Sequence, residues 1–254
     1  MLARLKDQID PPVKEVRVCF LHLPKCAGTS VTNALMDLYK PWRPSARNRV
    51  VRLNDLAARS AEDLLSYSQR ELRNPLLAYS LAQDQARLVI GHFTFSQAVF
   101  DQHRANWHFA TVLRDPVSRW LSHYFYNKDT PGNKYNIDVS MHEFLKTSRG
   151  QSLGALMVNW FSEGLHENGA SVDAAVQRAL YNLNRFSVVG QSDNMTGFSV
   201  DLQKIFGRTV SIPELNVGNK NRKKDLVDQI TLDRICEVCE PDIKLYQSIF
   251  QTKM

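Results

Sequence analysis

The sequence predicts an α/β protein in which helices cover a mainly parallel central sheet, as a three-layer sandwich. Short apolar runs typical of buried strands occur near residues 16–22, 87–91, 109–113 and 187–190. Helical periodicity separates these runs, and the first three end at a turn former or a charged residue. Such an alternation is typical of βαβ units, whose strands pair in parallel.

The composition is that of an ordinary globular protein, with 43% hydrophobic and 23% charged residues. No internal repeat or low-complexity tract is present, so residues 1–254 are expected to form a single domain. The net charge of +6 favours an anionic ligand; a nucleic acid is the competing interpretation, but no RNP, zinc-finger or helix-turn-helix signature supports it. No apolar run reaches membrane-span length and no signal peptide is recognised, so a cytoplasmic location is expected, with a Golgi-lumenal fragment as the alternative.

The first element is a strand that leads through a tight loop into a helix. The strand is favoured over residues 16–21, Pro24 interrupts it, and helical spacing resumes at Val31. The loop consists of Lys25, Cys26, Ala27, Gly28, Thr29 and Ser30. Backbone N–H groups at a helix start, the Lys25 charge and two hydroxyls together favour an anion. It is not a Walker A loop, because Lys25 precedes Gly28; the competing interpretation is an ordinary helix start capped by one of its hydroxyl residues.

The second strand of this pattern comes after a polar stretch, residues 45–86, that predicts one or two helices. The first of them is placed over residues 54–68, with Asn54 or Asp55 as its N-cap. The strand ends at Gly91, and His92 follows at once. Ligands of parallel α/β sheets bind beyond the carboxyl ends of strands, so His92 is expected at the same edge as the loop. The competing interpretation is a histidine packed at a strand end.

The third strand, Phe109 to Leu113, ends in Arg114 and Asp115. Asp115 is a good N-cap and the proline after it suits the first helical position. Arg114 at the strand end and Ser122 almost two turns along the helix are spaced to converge on one phosphate. The alternative is an Arg114–Asp115 pair with a solvated Ser122.

The rest of the chain predicts helices and one basic segment. The helices are placed over residues 141–147, 153–161, 171–183, 195–206 and from 226 onward, the last split by Pro241. Cys236 and Cys239 form a lone pair of cysteines, which favours buried helix positions over metal ligands. The basic segment 216–224 is by itself typical of a solvated charged loop.

Three segments resemble sulfotransferases that use 3′-phosphoadenylyl sulfate (PAPS). HLPKCAGTS is similar to their 5′-phosphosulfate loop, which implies donor binding by the loop residues Lys25, Cys26, Ala27, Gly28, Thr29 and Ser30. LRDPVSRWLSHY is similar to the motif whose Arg and Ser hold the 3′-phosphate, here Arg114 and Ser122. IGHFTF places His92 where many of these enzymes carry a catalytic histidine. The family also places a late basic loop over the phosphates, which implies that role for Lys220 and Arg222.

The resemblance is closest in wording to carbohydrate sulfotransferases and their bacterial relatives. The chain departs from the cytosolic enzymes at Ile90, where they have Lys, and at Ser30, where they have a Trp that stacks on adenine. The adenine-stacking residue of this chain is therefore open.

What the resemblance implies is a P-loop-like fold and a PAPS-dependent sulfotransferase that acts on a hydroxyl, with a glycan as the expected acceptor. His92 is the implied general base, Lys25 stabilises the leaving oxygen, and no metal is required. Two alternatives remain: a P-loop kinase of a nucleotide or sugar, which the position of Lys25 disfavours, and a catalytically silent PAPS- or polyanion-binding protein, which His92 disfavours. The acceptor's identity and the oligomeric state are not predicted.

Overall fold

The computed structural model describes residues 16–39, 49–53, 55–65, 67–128, 135–166, 168–213 and 227–250. The chain forms two compact units. Unit 1 comprises residues 1–23, 27–112 and 186–215, and unit 2 comprises residues 24–26, 113–185 and 216–254. Because the chain passes between the units several times, this division does not decide the single-domain prediction, which stays a prediction.

Unit 1 is built on a five-stranded parallel sheet with the order β2-β3-β1-β4-β5. The strands are β1 Val18–Leu21, β2 Val50–Arg52, β3 Leu88–Gly91, β4 His108–Leu113 and β5 Val188–Gln191. Leu21 lies opposite Gly91 on one side and Thr111 on the other, so β1, β3 and β4 run toward the same edge. The predicted α/β class and its four predicted strands are confirmed, whereas β2 was not predicted.

Most helices in the described ranges follow the predicted order, whereas the helices Gln97–His103 and Ser148–Ser152 were not predicted. The helices are α1 Gly28–Leu38, α2 Asp55–Leu65, α3 Gln69–Leu81, α4 Gln97–His103, α5 Pro116–Lys128, α6 Met141–Lys146, α7 Ser148–Ser152, α8 Leu156–Phe161, α9 Val172–Leu183, α10 Met195–Phe206, α11 Gln229–Val238 and α12 Glu240–Phe250, with a 3₁₀ turn at Leu153–Ala155. Asn54, one of the two suggested N-caps, lies outside the described residues. None of these helices is long and apolar enough to cross a bilayer.

The core of unit 1 lies where α1 and α10 cover the sheet. Val31 and Leu35 of α1 and Phe198 and Leu202 of α10 join Phe20 of β1 in one buried cluster. This packing confirms the apolar face predicted for the first helix, and it holds the start of α1 at the end of β1.

Unit 2 is helical in the part that the structure describes. Its core gathers apolar residues of α5, α6 and α11, with Trp120 and Phe144 among the largest. Ser171 accepts a hydrogen bond from the Ala174 N–H, which confirms the predicted cap of α9. The predicted split near Pro241 is also confirmed. Of the cysteine pair, only Cys239 is buried, and the expectation of a buried Cys236 is wrong because that side chain points outward from α11.

A buried ion pair ties three helices of unit 2 together. Nη2 of Arg119 on α5 lies 3.6 Å from Oδ2 of Asp242 on α12, and both side chains are fully buried. The Asp242 carboxylate also accepts the N–H groups of Met157 and Val158, at the start of α8. Burial nevertheless raises the pKa of Asp242 to about 6, although Arg119 and the two N–H groups favour the charged form.

Asp242→Asn is expected to remove a pH dependence of stability between about pH 4 and about pH 6. The folded pKa lies above the ordinary value, so the folded state holds the extra proton in this window and the free energy of unfolding falls as pH rises through it. An amide does not titrate, so the variant loses that slope. Above about pH 6 the variant is also less stable than the unaltered protein, because Arg119 loses its charge partner. Urea unfolding at several pH values measures both the free energy of unfolding and its slope with pH.

Asp173→Asn is the matched control, because the side chain of Asp173 is 81% exposed and belongs to the same unit. It should keep the slope of the unaltered protein. If Asp242→Asn also keeps that slope, the carboxyl is not the titrating group.

Candidate active site

The loop between β1 and α1 carries two residues in the left-handed backbone region. Lys25 has a φ of 67° and Ala27 a φ of 57°. Residues with a side chain adopt this region rarely, and the strain it stores concentrates at functional sites. Ala27 is the N-cap of α1 and supplies no side-chain acceptor, so the alternative of a helix start capped by Thr29 or Ser30 is wrong. The Ser30 N–H donates to the Ala27 carbonyl at 3.1 Å, so the N–H groups ahead of Ser30 are the ones at this helix start that suit an anion.

Burial distinguishes the roles open to the other loop residues. Thr29 is exposed, whereas Ser30 is only 4% exposed. The Cys26 thiol points inward, with its sulfur 3.7 Å from the Pro24 carbonyl oxygen, and burial raises its pKa to about 12. Cys26 therefore offers a ligand its backbone rather than its side chain.

Lys25 makes two contacts within unit 2. Nη1 of Arg114 donates to the Lys25 carbonyl oxygen at 3.2 Å. The Lys25 ammonium nitrogen lies 3.5 Å from the ring centroid of Tyr126, on α5. The structure thus brings together two residues that the sequence assigned to opposite ends of one ligand, and Arg114 holds the backbone of the strained loop.

The helix after Arg114 begins as the sequence predicted. Oδ1 of Asp115 accepts the Ser118 N–H at 2.8 Å, so Asp115 is the N-cap and Pro116 the first helical residue. Arg114 and Ser122 are both half-buried. Their convergence on one phosphate stays a prediction.

Two histidines meet at the end of β1 in unit 1. Nδ1 of His92 lies 2.5 Å from the carbonyl oxygen of His22. A carbonyl oxygen only accepts, so Nδ1 carries the proton and Nε2 carries the lone pair. The two rings lie 4.4 Å apart between centroids. His92 thus presents the tautomer that a general base needs.

From the sequence, His22 has no assigned role in the site, because it lies on the strand before the loop, but in the structure it packs against both His92 and Gly28. Burial lowers the pKa of His22 to about 3, and the charges of His92 and Arg52 lower it further. A usable signal was present, because His22 and His92 follow two strands that were both expected to run to the same edge.

Sequence reasoning also missed the basic surroundings of His123 in unit 2. Nη2 of Arg149 lies 3.3 Å from Nε2 of His123. Burial lowers the pKa of His123 to about 3, and Arg119, Arg149 and Lys25 add to the effect. Lys25 therefore lies in a region of positive potential. No local pattern in the sequence predicts this, since Arg149 is distant from Lys25 along the chain.

Two predicted site residues, Lys220 and Arg222, lie outside the described residues. Within the described ranges, no group of three or more His, Cys, Asp or Glu side chains is arranged to hold a metal ion.

A family model described as the sulfotransferase family matches residues 13–250, which is nearly the whole chain. A search of curated proteins found no match.

Proposed function

Because this chain belongs to the sulfotransferase family, we propose that it transfers a sulfuryl group from PAPS to a hydroxyl group. We propose further that this hydroxyl group belongs to a glycan. The observation that carries the proposal is the loop after β1. Its strained backbone places Lys25 before an uncapped helix start, and Arg114 donates a hydrogen bond to the Lys25 carbonyl. Those features fit an anionic phosphosulfate group.

The donor contacts that we propose use both phosphate-binding motifs. The backbone of the loop from Lys25 to Ser30, together with the Thr29 hydroxyl, holds the 5′-phosphosulfate. Arg114 and Ser122 hold the 3′-phosphate, and Lys220 and Arg222 are assigned to the phosphates by the family resemblance alone. The sheet supports this arrangement, because β3, β1 and β4 are neighbours and His92, the loop and Arg114 each follow the carboxyl end of one of them.

The bound donor supplies an activated sulfuryl group whose bridging oxygen leaves with adenosine 3′,5′-bisphosphate. His92 Nε2 accepts the proton of the acceptor hydroxyl as the new bond from oxygen to sulfur forms. The bond between sulfur and the bridging oxygen breaks, and the Lys25 ammonium stabilises the negative charge that develops there. The scheme requires no metal.

Lys25 must leave the Tyr126 ring to act in this way. A cation–π contact with an exposed ring contributes only about 0.5–1 kcal/mol, and Tyr126 is 52% exposed. A doubly charged phosphosulfate attracts the ammonium more strongly than that contact does, so the contact with Tyr126 does not prevent Lys25 from binding the donor.

The deciding experiment incubates the protein with labelled PAPS and a panel of glycans, phenols and peptides. Label on a glycan supports the proposal in full, and label on a phenol or peptide alone overturns the glycan assignment. Binding of adenosine 3′,5′-bisphosphate with no transfer to any acceptor indicates a silent binding protein. Magnesium-dependent turnover of ATP without PAPS binding indicates a kinase.

Arg114→Ala is expected to weaken the binding of adenosine 3′,5′-bisphosphate by roughly 2–4 kcal/mol, because it leaves a charged phosphate short of donors. Titration calorimetry measures the affinity. Arg104→Ala is the matched control, since the Arg104 side chain is 61% exposed and pairs with Asp101 at the end of α4.

Unchanged affinity in a folded Arg114→Ala variant rules out the 3′-phosphate assignment. Because Arg114 also contacts the Lys25 carbonyl, a second titration with an analogue that lacks the 3′-phosphate separates the two roles. If Arg114 acts on the 3′-phosphate, that analogue binds the unaltered protein and the Arg114→Ala variant with equal affinity.

A further inference from the structure

His22 stands directly against the start of the phosphate loop's helix. A Cβ atom built on Gly28 would lie 1.8 Å from both Cδ2 and Nε2 of the His22 ring. In real structures a Cβ atom essentially never comes closer than 3.0 Å to a heavy atom outside its own residue and its chain neighbours. Residue 28 is therefore limited to glycine for as long as the His22 ring keeps its position.

His22 also contacts His92 in two ways. Its ring lies 4.4 Å from the His92 ring, and its carbonyl oxygen accepts the Nδ1 hydrogen of His92. The His22 N–H donates to the Gly91 carbonyl at 2.9 Å, which continues the pairing of β1 with β3 past the last strand residue. His22 is thus held by its backbone and touches the loop and the candidate base at once.

We infer that His22 is a positioning residue that couples the phosphate loop to His92, so that donor binding at Gly28 and proton acceptance at His92 share one packed contact. The inference rests on the proposed function. It assigns to His22 no contact with the donor or the acceptor. Its flat ring sets the angle of the His92 imidazole, and its carbonyl sets the tautomer.

The coupling requires an uncharged ring, which burial provides. The pKa of His22 is lowered to about 3, and the charged or titratable groups that act on it among the described residues are His92 and Arg52. When His92 takes up a proton, its neighbour therefore adds no second positive charge. A protonated His22 would oppose that step.

The test is a double-mutant cycle on His22 and Gly28, read by turnover at saturating PAPS. His22→Ala is expected to lower turnover roughly 10-fold with little change in the KM for PAPS, because His92 loses its lateral support. Gly28→Ala is expected to lower turnover roughly 100-fold, because the new methyl group displaces the ring. In the double variant the methyl group occupies the space the ring has left, so turnover returns to about the level of His22→Ala.

Two further variants separate positioning from general damage. His22→Phe keeps a flat ring and is expected to restore most of what His22→Ala loses. His108→Ala removes an exposed histidine at the amino end of β4 and is expected to match the unaltered protein.

Nitrogen NMR of the histidines gives a readout that needs no substrate. The unaltered protein is expected to show His92 protonated at Nδ1, and His22→Ala is expected to keep that tautomer, because the accepting carbonyl belongs to the backbone and stays in the variant. That result without any sulfuryl transfer overturns the proposed function and leaves the packing intact. Transfer with additive losses in the double variant, or without recovery in His22→Phe, overturns the coupling.

Discussion

His92→Ala is expected to lower turnover by roughly 10²–10⁴-fold while leaving PAPS affinity nearly unchanged, as loss of a positioned general base does. The imidazole donates from Nδ1 to the His22 carbonyl, so its Nε2 lone pair is the group that the substitution removes. None of the contacts proposed for the donor involves the His92 side chain. Single-turnover transfer to a working acceptor measures the chemical step, and calorimetry with adenosine 3′,5′-bisphosphate measures binding.

His92→Gln sharpens this test. A glutamine amide can still donate to the His22 carbonyl but offers no proton acceptor of useful basicity, so it should be as slow as His92→Ala. His142→Ala serves as the control, because His142 is an exposed residue on α6. If His92→Ala keeps most of its activity, the base lies elsewhere, for instance on a carboxylate.

Lys25→Ala is expected to lower turnover at saturating PAPS by roughly 10²–10³-fold, the usual effect of removing one charge-stabilising donor. Its effect on donor affinity should be smaller, because the charge on the bridging oxygen grows in the transition state. Lys25→Arg keeps a cation and should retain part of the activity. The measurement pairs kcat at saturating PAPS with the Kd of adenosine 3′,5′-bisphosphate.

Two controls isolate the ammonium group. Lys204→Ala removes an exposed lysine whose side chain is 71% exposed and paired with Asp201. Tyr126→Leu removes the ring beneath Lys25 but leaves the charge, so it should affect turnover much less than Lys25→Ala. Normal turnover of Lys25→Ala at saturating PAPS would contradict the role assigned to Lys25.

Much of the fold followed from local pattern. The run from Val18 to Leu21, the break at Pro24 and the return of apolar residues at Val31 all lie within one short segment, and the structure has β1, the loop and α1 there. Asp115 likewise capped α5 because its acceptor and the Ser118 N–H are three residues apart. β2 was not predicted, because it has only three residues and none of them is buried, so its sequence shows little of the hydrophobic pattern of a strand.

The sequence by itself determined the fold class and the family, and it predicted the loop, Arg114 and His92 as site residues, because each of these depends on residues that are close along the chain. Only the tertiary structure decided how those residues meet. The Arg114 contact with Lys25 spans 89 positions and the His92 contact with His22 spans 70, and no periodicity encodes either. The neutral state of His22 and the closeness of its ring to Gly28 also depend on burial between neighbouring strands and a helix, which exists only once the sheet has formed.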